Sequence, residues 1–306
     1  MAYIGVDIGG TYTKIGVVTE QGEVVRLCKF PTYGEPLEFI FEEIDDILNA
    51  FTIDGIGVGI AGLVDEEGNV VKASNIPFFN DFPLKKILAE RYKMEISVQN
   101  DASAATLAEA IMGDGRISSN FILITLGTGI GSGYWSREQD IRFPMEAGHM
   151  TINYQGKSCS CGNTGCLEVY ASARAIKDNL IEKIEKGEQS SIKMLYEGNF
   201  YKVTAEDIYK TALEGDPLCR SVLKEAGKAL GAGVANLINI FAPERIIFTG
   251  GLSKAVNIYI ETAISEAQKR AMKGLKTEMF ISSLIDKGGI IGAVAALSNF
   301  NLSLTA

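Results

Sequence analysis

The chain has 306 residues, 46% hydrophobic and 22% charged, which is ordinary globular composition with enough apolar material for two cores. Its 29 Lys and Arg against 38 Asp and Glu leave a net charge of −9, which argues against nucleic acid or an anionic membrane as partner, because both are held through released counterions. No apolar run reaches the ~18 residues of a membrane span, and Asp7 interrupts the N-terminal apolar stretch before a signal core forms, so the chain reads as soluble and cytoplasmic.

In chain order, Tyr3–Ile8, Lys14–Val18 and Val24–Phe30 have β-type runs parted by turn residues and predict consecutive antiparallel strands. Leu37, Ile40, Phe41, Ile44, Ile47, Leu48 and Phe51 recur at helical spacing. Gly55–Ile60 reads as a buried strand, Pro83–Tyr92 as a helix opened by proline, Ile96–Val98 as a short strand and Asp101–Met112 as an alanine-rich helix. Gly113-Asp114-Gly115 breaks the pattern, and the domain boundary is expected there, giving a small lobe over 1–113 and a large one over 114–287. Beyond it come a strand over Phe121–Leu126, helices over Ser172–Lys186 and Ala205–Leu213, and a long helix from Asp216 to Phe241. That long helix has Asp216 as its cap, Pro217 at its first position and Pro243 past its end. A strand over Arg245–Thr249, a further helix and a small-residue helix over Gly289–Phe300 complete the chain.

Two glycine loops follow apolar strands, one in each half: Gly9-Gly10-Thr11 and Gly127-Thr128-Gly129. Their recurrence suggests a fold built twice, with a ligand between the copies. An acid inside an apolar strand, such as Asp7, costs several kcal/mol unless a cation or donors satisfy it. Gly9 and Gly10 let backbone N–H groups approach a phosphate, while Thr11 and Thr13 add hydroxyl donors. The loop therefore reads either as a nucleotide phosphate site with Asp7 facing Mg²⁺, or as a tight hairpin whose Asp caps its own turn. The second loop repeats this chemistry, its alternative being a glycine hairpin in an edge strand. Gly57-Val58-Gly59-Ile60-Ala61-Gly62 fits the dinucleotide fingerprint, but a polar turn rather than a helix follows it, which excludes that use.

Cys159, Cys161 and Cys166 cluster, while Cys28 and Cys219 stand alone. With His149, the chain's single histidine, the cluster completes a tetrahedral shell of the structural Zn²⁺ type; the alternative is a free or oxidised thiol cluster. Glu146 and Glu168 flank it, either as a surface acid and a favourable charge at a helix start, or as carboxylates aimed at a polyhydroxylated substrate. Asn100-Asp101 opens a helix, so Asp101 is either a cap or the base that takes a proton from an acceptor hydroxyl.

Together Asp7-Ile8-Gly9-Gly10-Thr11, Asn100-Asp101, Leu126-Gly127-Thr128-Gly129, Glu146-Ala147-Gly148-His149 and the cysteine run resemble the ROK sugar kinases and repressors, over about residues 3–297. Gly250-Gly251 after a strand looks like that family's adenosine loop. The resemblance implies an α/β, two-lobed actin-like (ribonuclease H-like) ATPase fold, its C-terminal helix over 288–306 packing back on the small lobe. It implies Asp101 as catalytic base and sugar contacts at Gly62, Asn75, Asn100, Asp101, Glu146, His149 and Glu168. ATP and phosphate contacts would lie at Asp7, Gly9, Gly10, Thr11, Thr13, Lys14, Gly127, Thr128, Gly129, Gly250 and Gly251. His149, Cys159, Cys161 and Cys166 would hold Zn²⁺, and Asp7 would face Mg²⁺.

The family's pattern is not followed everywhere. Ala61 stands where many relatives carry proline, and Phe78-Phe79 follows Asn75-Ile76-Pro77 where glycine and tryptophan are more usual. The expected activity is ATP-dependent phosphorylation of the primary hydroxyl of a neutral hexose, glucose to glucose 6-phosphate. N-acetylmannosamine kinase and fructokinase are the alternatives within the enzyme class, and a non-catalytic sugar-sensing regulator with the same core the alternative outside it. A repressor needs a helix-turn-helix of roughly sixty residues before the first strand, which here is expected at Tyr3. A structural actin-like filament protein is disfavoured, since nothing in filament formation calls for the zinc cluster. Sugar and ATP are the expected partners, and a homodimer or homotetramer the expected assembly.

Overall fold

The computed structural model describes residues 1–138 and 141–300. Strands β1 (Ala2–Ile8), β2 (Tyr12–Thr19) and β3 (Val24–Pro31) form an antiparallel meander in which Asp7 faces Lys14 and Lys14 faces Lys29. Helix α1 (Pro36–Ala50) buries Ile40, Ile44 and Ile47 against this core. Each fully buried isoleucine contributes about 1.5–3 kcal/mol relative to exposure. Strand β4 (Gly55–Ile60) joins parallel to β1, and β7 (Glu95–Asn100) parallel to β4, so the sheet runs β3-β2-β1-β4-β7.

The glycines of β4 have a packing cause. A methyl group at Gly57 would collide with the Ala293 carbonyl of α9 (Gly288–Ala295), which lies against β1 and β4. After β4 the chain makes the short antiparallel pair β5 (Leu63–Val64) and β6 (Val70–Lys72), then α2 (Leu84–Tyr92). No helix starts at the G-x-G-x-x-G segment, in keeping with its exclusion as a dinucleotide site.

Helix α3 (Asp101–Ile111) packs on α9. A second sheet then repeats the plan: β8 (Asn120–Leu126), β9 (Ile130–Ser136), β10 (Ile141–Met145), β11 (Arg245–Thr249) and β12 (Glu278–Ile281), in the order β10-β9-β8-β11-β12. In each sheet three successive strands run inward from one edge and two later ones extend the other. Between β10 and β11 lie α4 (Glu168–Ala171), α5 (Ala173–Glu185), α6 (Ala205–Leu213) and α7 (Pro217–Phe241), and α8 (Glu261–Arg270) precedes β12. Asp216 caps α7, accepting from Cys219 N at 2.9 Å, with Pro217 in the first turn.

Two compact units emerge. The first comprises Met1–Leu123, Ser132–Met145 and the chain from Ser282; the second comprises Ile124–Gly131 and Glu146–Ile281. The division thus falls within β8 and β9 and not at Gly113-Asp114-Gly115. The latter is a turn folded onto the end of α3, where Glu109 Oε2 accepts from Asp114 N at 2.8 Å. Helix α9 stops at Ala295, short of the expected end, and residues 301–306 of the expected helix lie outside the described residues. Among the described residues no helix is long and apolar enough to cross a membrane.

Candidate active site and metal centre

In the first unit the loop Gly9–Thr11 is closed by Gly9 N donating to Tyr12 O at 3.1 Å. Asp7 stands one residue before the end of β1, half-buried, with Lys14 Nζ 3.6 Å from Oδ2. Burial raises the Asp7 pKa, and Lys14 pulls it partly back. Gly289 in the first turn of α9 lies against the same carboxylate: a methyl group there would sit 2.6 Å from Asp7 Cγ. The helix N-terminus favours a negative charge at that point. Sequence reasoning missed Gly289; the available signal was a glycine pair opening an apolar helix.

Gly10 abuts Asn75, with a methyl group at Gly10 placed 3.0 Å from Asn75 Cβ. Asn100 ties the neighbouring segments together, donating through Nδ2 to Gly62 O at 3.0 Å. Its Oδ1 accepts from Ala102 N at 2.9 Å and Ser103 N at 3.0 Å. Asn100 is therefore the cap of α3. Asp101 is the first helical residue, its Oδ1 2.9 Å from Ala102 N. Thr13 departs from expectation as a phosphate donor: it is fully buried, and its Oγ1 pairs with Thr32 Oγ1 at 2.7 Å. Strand alternation explains this, because Tyr12 and Lys14 face one side of β2 and Thr13 the other.

In the second unit, Gly127 N donates to Gly129 O at 3.0 Å and Gly131 N to Thr125 Oγ1 at 3.1 Å. Ala173 N, at the start of α5, donates to Gly127 O at 2.9 Å. Glu168 Oε2 accepts from Ile130 N at 2.8 Å. Gly250 has φ +89°, a region that favours glycine, and a methyl group there would strike the Leu126 carbonyl at the end of β8. The expected adenosine loop therefore abuts the second glycine loop.

His149, Cys159, Cys161 and Cys166 place their ligand atoms within 4.8 Å of one another. His149 Nδ1 lies 3.6 Å from Cys159 Sγ, and Cys161 Sγ lies 3.7 Å from Cys166 Sγ. A tetrahedron with metal–sulfur bonds of about 2.3 Å has edges of about 3.8 Å, which these two spacings match. Burial and the neighbouring thiols push the Cys166 thiol up to about 12, so a bound cation is what would hold it as thiolate at neutral pH. With Nδ1 turned to the cluster, His149 Nε2 lies 4.0 Å from Glu146 Oε2. Cys166 precedes Glu168 by two residues, and Leu167 N between them donates to Met150 O at 2.9 Å. The cysteine knuckle thus leads directly into α4.

A model described as ROK family matches residues 3–299. The glucokinase of Halalkalibacterium halodurans is 33% identical over 95% of this chain and 93% of its own length. A xylose repressor of Caldicellulosiruptor bescii is 31% identical over 98% of this chain and 79% of its own length. Among solved structures, a ROK family glucokinase from Streptomyces griseus, in complex with glucose and AMPPNP, superposes with a TM-score of 0.85. It is 28% identical and covers 97% of this chain and 99% of that one.

Proposed function

The chain belongs to the ROK family, and from that premise we propose that it is an ATP-dependent hexose kinase that phosphorylates the primary hydroxyl of glucose. The observation that carries the reading is full-length similarity to glucokinases combined with a glycine loop after the penultimate acid or hydroxyl of β1 and of β8. In this reading the loops Gly9–Thr11 and Gly127–Gly129 hold phosphates through backbone N–H groups. Lys14 supplies positive charge, and Gly250 with Gly251 borders the adenosine.

Asp101 is the base. As the sugar oxygen bonds to the γ-phosphorus and the bond to the ADP oxygen breaks, the hydroxyl proton passes to its carboxylate. Asn100, as cap of α3, fixes where that carboxylate stands. Gly62, Asn75, Asn100, Glu146, His149 and Glu168 are the sugar contacts. Asp7 is a half-buried carboxylate, of the oxygen-donor type that Mg²⁺ takes alongside substrate phosphates; the cation would neutralise phosphate charge. The Cys₃His cluster is assigned to structural Zn²⁺, whose part is to order the segments carrying Glu146 and Glu168. An ATP-consuming enzyme that needs its cysteines as thiolates belongs in the cytoplasm.

A coupled ADP-release assay tests this over glucose, mannose, fructose, N-acetylmannosamine and gluconate. Glucose is expected to turn over best and gluconate not at all. At about 4 Å and an effective dielectric near 20, each like-charge contact with Glu146 or Glu168 costs on the order of 4 kcal/mol before screening. ADP release with no sugar in the panel would overturn the reading. The xylose repressors among the relatives favour a sugar-sensing regulator as the second reading; sugar binding without any ADP release would establish it.

A further inference from the structure

Besides its own bonds, the second glycine loop is held by a group that comes from the Cys₃His knuckle. Glu168 Oε2 accepts the Ile130 backbone hydrogen bond at 2.8 Å, at the point where the loop enters β9. The same oxygen occupies the space a side chain at Gly129 would need. Glu168 opens α4, and Val169 N donates to the metal-ligand carbonyl Cys166 O at 3.2 Å, so the carboxylate rides directly on the knuckle. A further external tie, Ala173 N to Gly127 O at 2.9 Å, comes from the residue that follows α4 and its cap.

We propose that Glu168 is a positioning residue for the phosphate loop, with one carboxylate oxygen clamping Gly127–Ile130 in its nucleotide-binding shape. Order at the metal knuckle then reaches the nucleotide site through that carboxylate. This rests on the kinase reading above for the identity of the ligand, and adds to Glu168 a task separate from contacting sugar. A residue that touches only the sugar affects the sugar's affinity and leaves nucleotide binding to the sugar-free protein alone. A clamp changes nucleotide binding with no sugar present.

The test is calorimetric titration of the metal-loaded, sugar-free protein with a non-hydrolysable ATP analogue. Glu168→Ala should bind it about tenfold more weakly or worse, the scale of a lost hydrogen bond to a charged acceptor. Glu168→Gln, whose amide oxygen still accepts from Ile130 N, should stay within about threefold of wild type. Gly129→Ala leaves the carboxylate in the chain but displaces it, and should match Glu168→Ala. The double variant should be no weaker than Glu168→Ala alone, because the two changes remove one contact. Chelating the metal should reproduce the loss. Wild-type nucleotide affinity in Glu168→Ala, with only sugar affinity reduced, would overturn the clamp. Should Glu168→Ala fail to fold, unchanged affinity in Gly129→Ala would overturn it equally. If the wild-type protein binds no nucleotide, the kinase reading fails on its own. The clamp is then judged by hydrogen exchange at the Ile130 amide, slow in wild type and Glu168→Gln; fast exchange in wild type overturns it.

Discussion

The two glycine loops start from strands of the same length and the same burial pattern, yet they are held in different ways. One residue before the end of β1 stands Asp7; at that position in β8 stands Thr125. The first loop carries its own acid, and its counter-charge, Lys14, sits directly across the hairpin at 3.6 Å. The second has a hydroxyl in that position, which folds back to accept from Gly131 N at 3.1 Å. Its acid is imported: Glu168 arrives from beside the Cys₃His cluster, 38 residues further along the chain. The same backbone plan thus has its charge pair within one hairpin in one unit, and an acid from a distant, cysteine-rich segment in the other. The first loop should tolerate loss of the metal, whereas the second should not.

The largest effect tests chemistry with both loops left in place. Asp101→Asn should lower kcat by roughly 10²–10⁴, the usual contribution of a general base, with nucleotide and sugar affinities near wild type. Because Asn100 is the cap of α3, the helix does not depend on the Asp101 side chain for its first hydrogen bonds. A turnover near wild type would return Asp101 to a purely local role. Next in size, Cys161→Ser should reduce metal content and weaken sugar affinity by about tenfold or more, the scale on which disturbance around a metal site is felt. Unchanged sugar affinity with metal lost would break the link between the knuckle and Glu146 and Glu168.

Smaller effects separate the surroundings of the two loops. Gly289→Ala places a methyl group 2.6 Å from Asp7 Cγ, where overpacking costs about 1–3 kcal/mol, seen as a lower midpoint in urea. Gly127→Ala, by contrast, meets nothing within 4 Å and should change stability by less than about 0.5 kcal/mol. Equal losses in the two variants would mean that the first loop is no more tightly built than the second.

Much of this contrast was legible in the sequence. The strand–glycine–strand pattern located both loops, C-x-C-G-x-x-G-C with His149 gave the ligand cluster, and Asp216-Pro217 gave the start of α7. What was not legible depends on partners distant in sequence. The parallel seating of β4 beside β1 has no local signal, and the glycines of β4 fit a cofactor fingerprint because their packing partners are remote: Gly57 meets the backbone of α9, more than two hundred residues away, and Gly59 meets Ala104 of α3. Thr13 was assigned by residue type, although the alternation of β2 turns its hydroxyl to Thr32. The second loop's acid was singled out as a sugar contact, but its bond to Ile130 could not be read from spacing.

The smallest effect concerns the charge that only the first loop contains. Burial raises the Asp7 pKa and Lys14 opposes the rise, so Lys14→Met should move it further up. Folding then favours the neutral acid. The contribution of Asp7 to stability is greatest below its unfolded value near 4 and is lost as pH rises through the folded value. If Asp7 holds Mg²⁺ beside phosphate, as proposed above, the sign for activity is the reverse, because that task requires the carboxylate. In Lys14→Met the acid limb of kcat/KM should therefore shift to higher pH, while the melting temperature falls more steeply as pH is raised across the same interval. Both shifts should have a common midpoint, because one proton governs them. An acid limb unmoved by Lys14→Met would mean that the hairpin pair does not set the charge of this loop, and that the first loop, like the second, takes its electrostatics from outside its own strands.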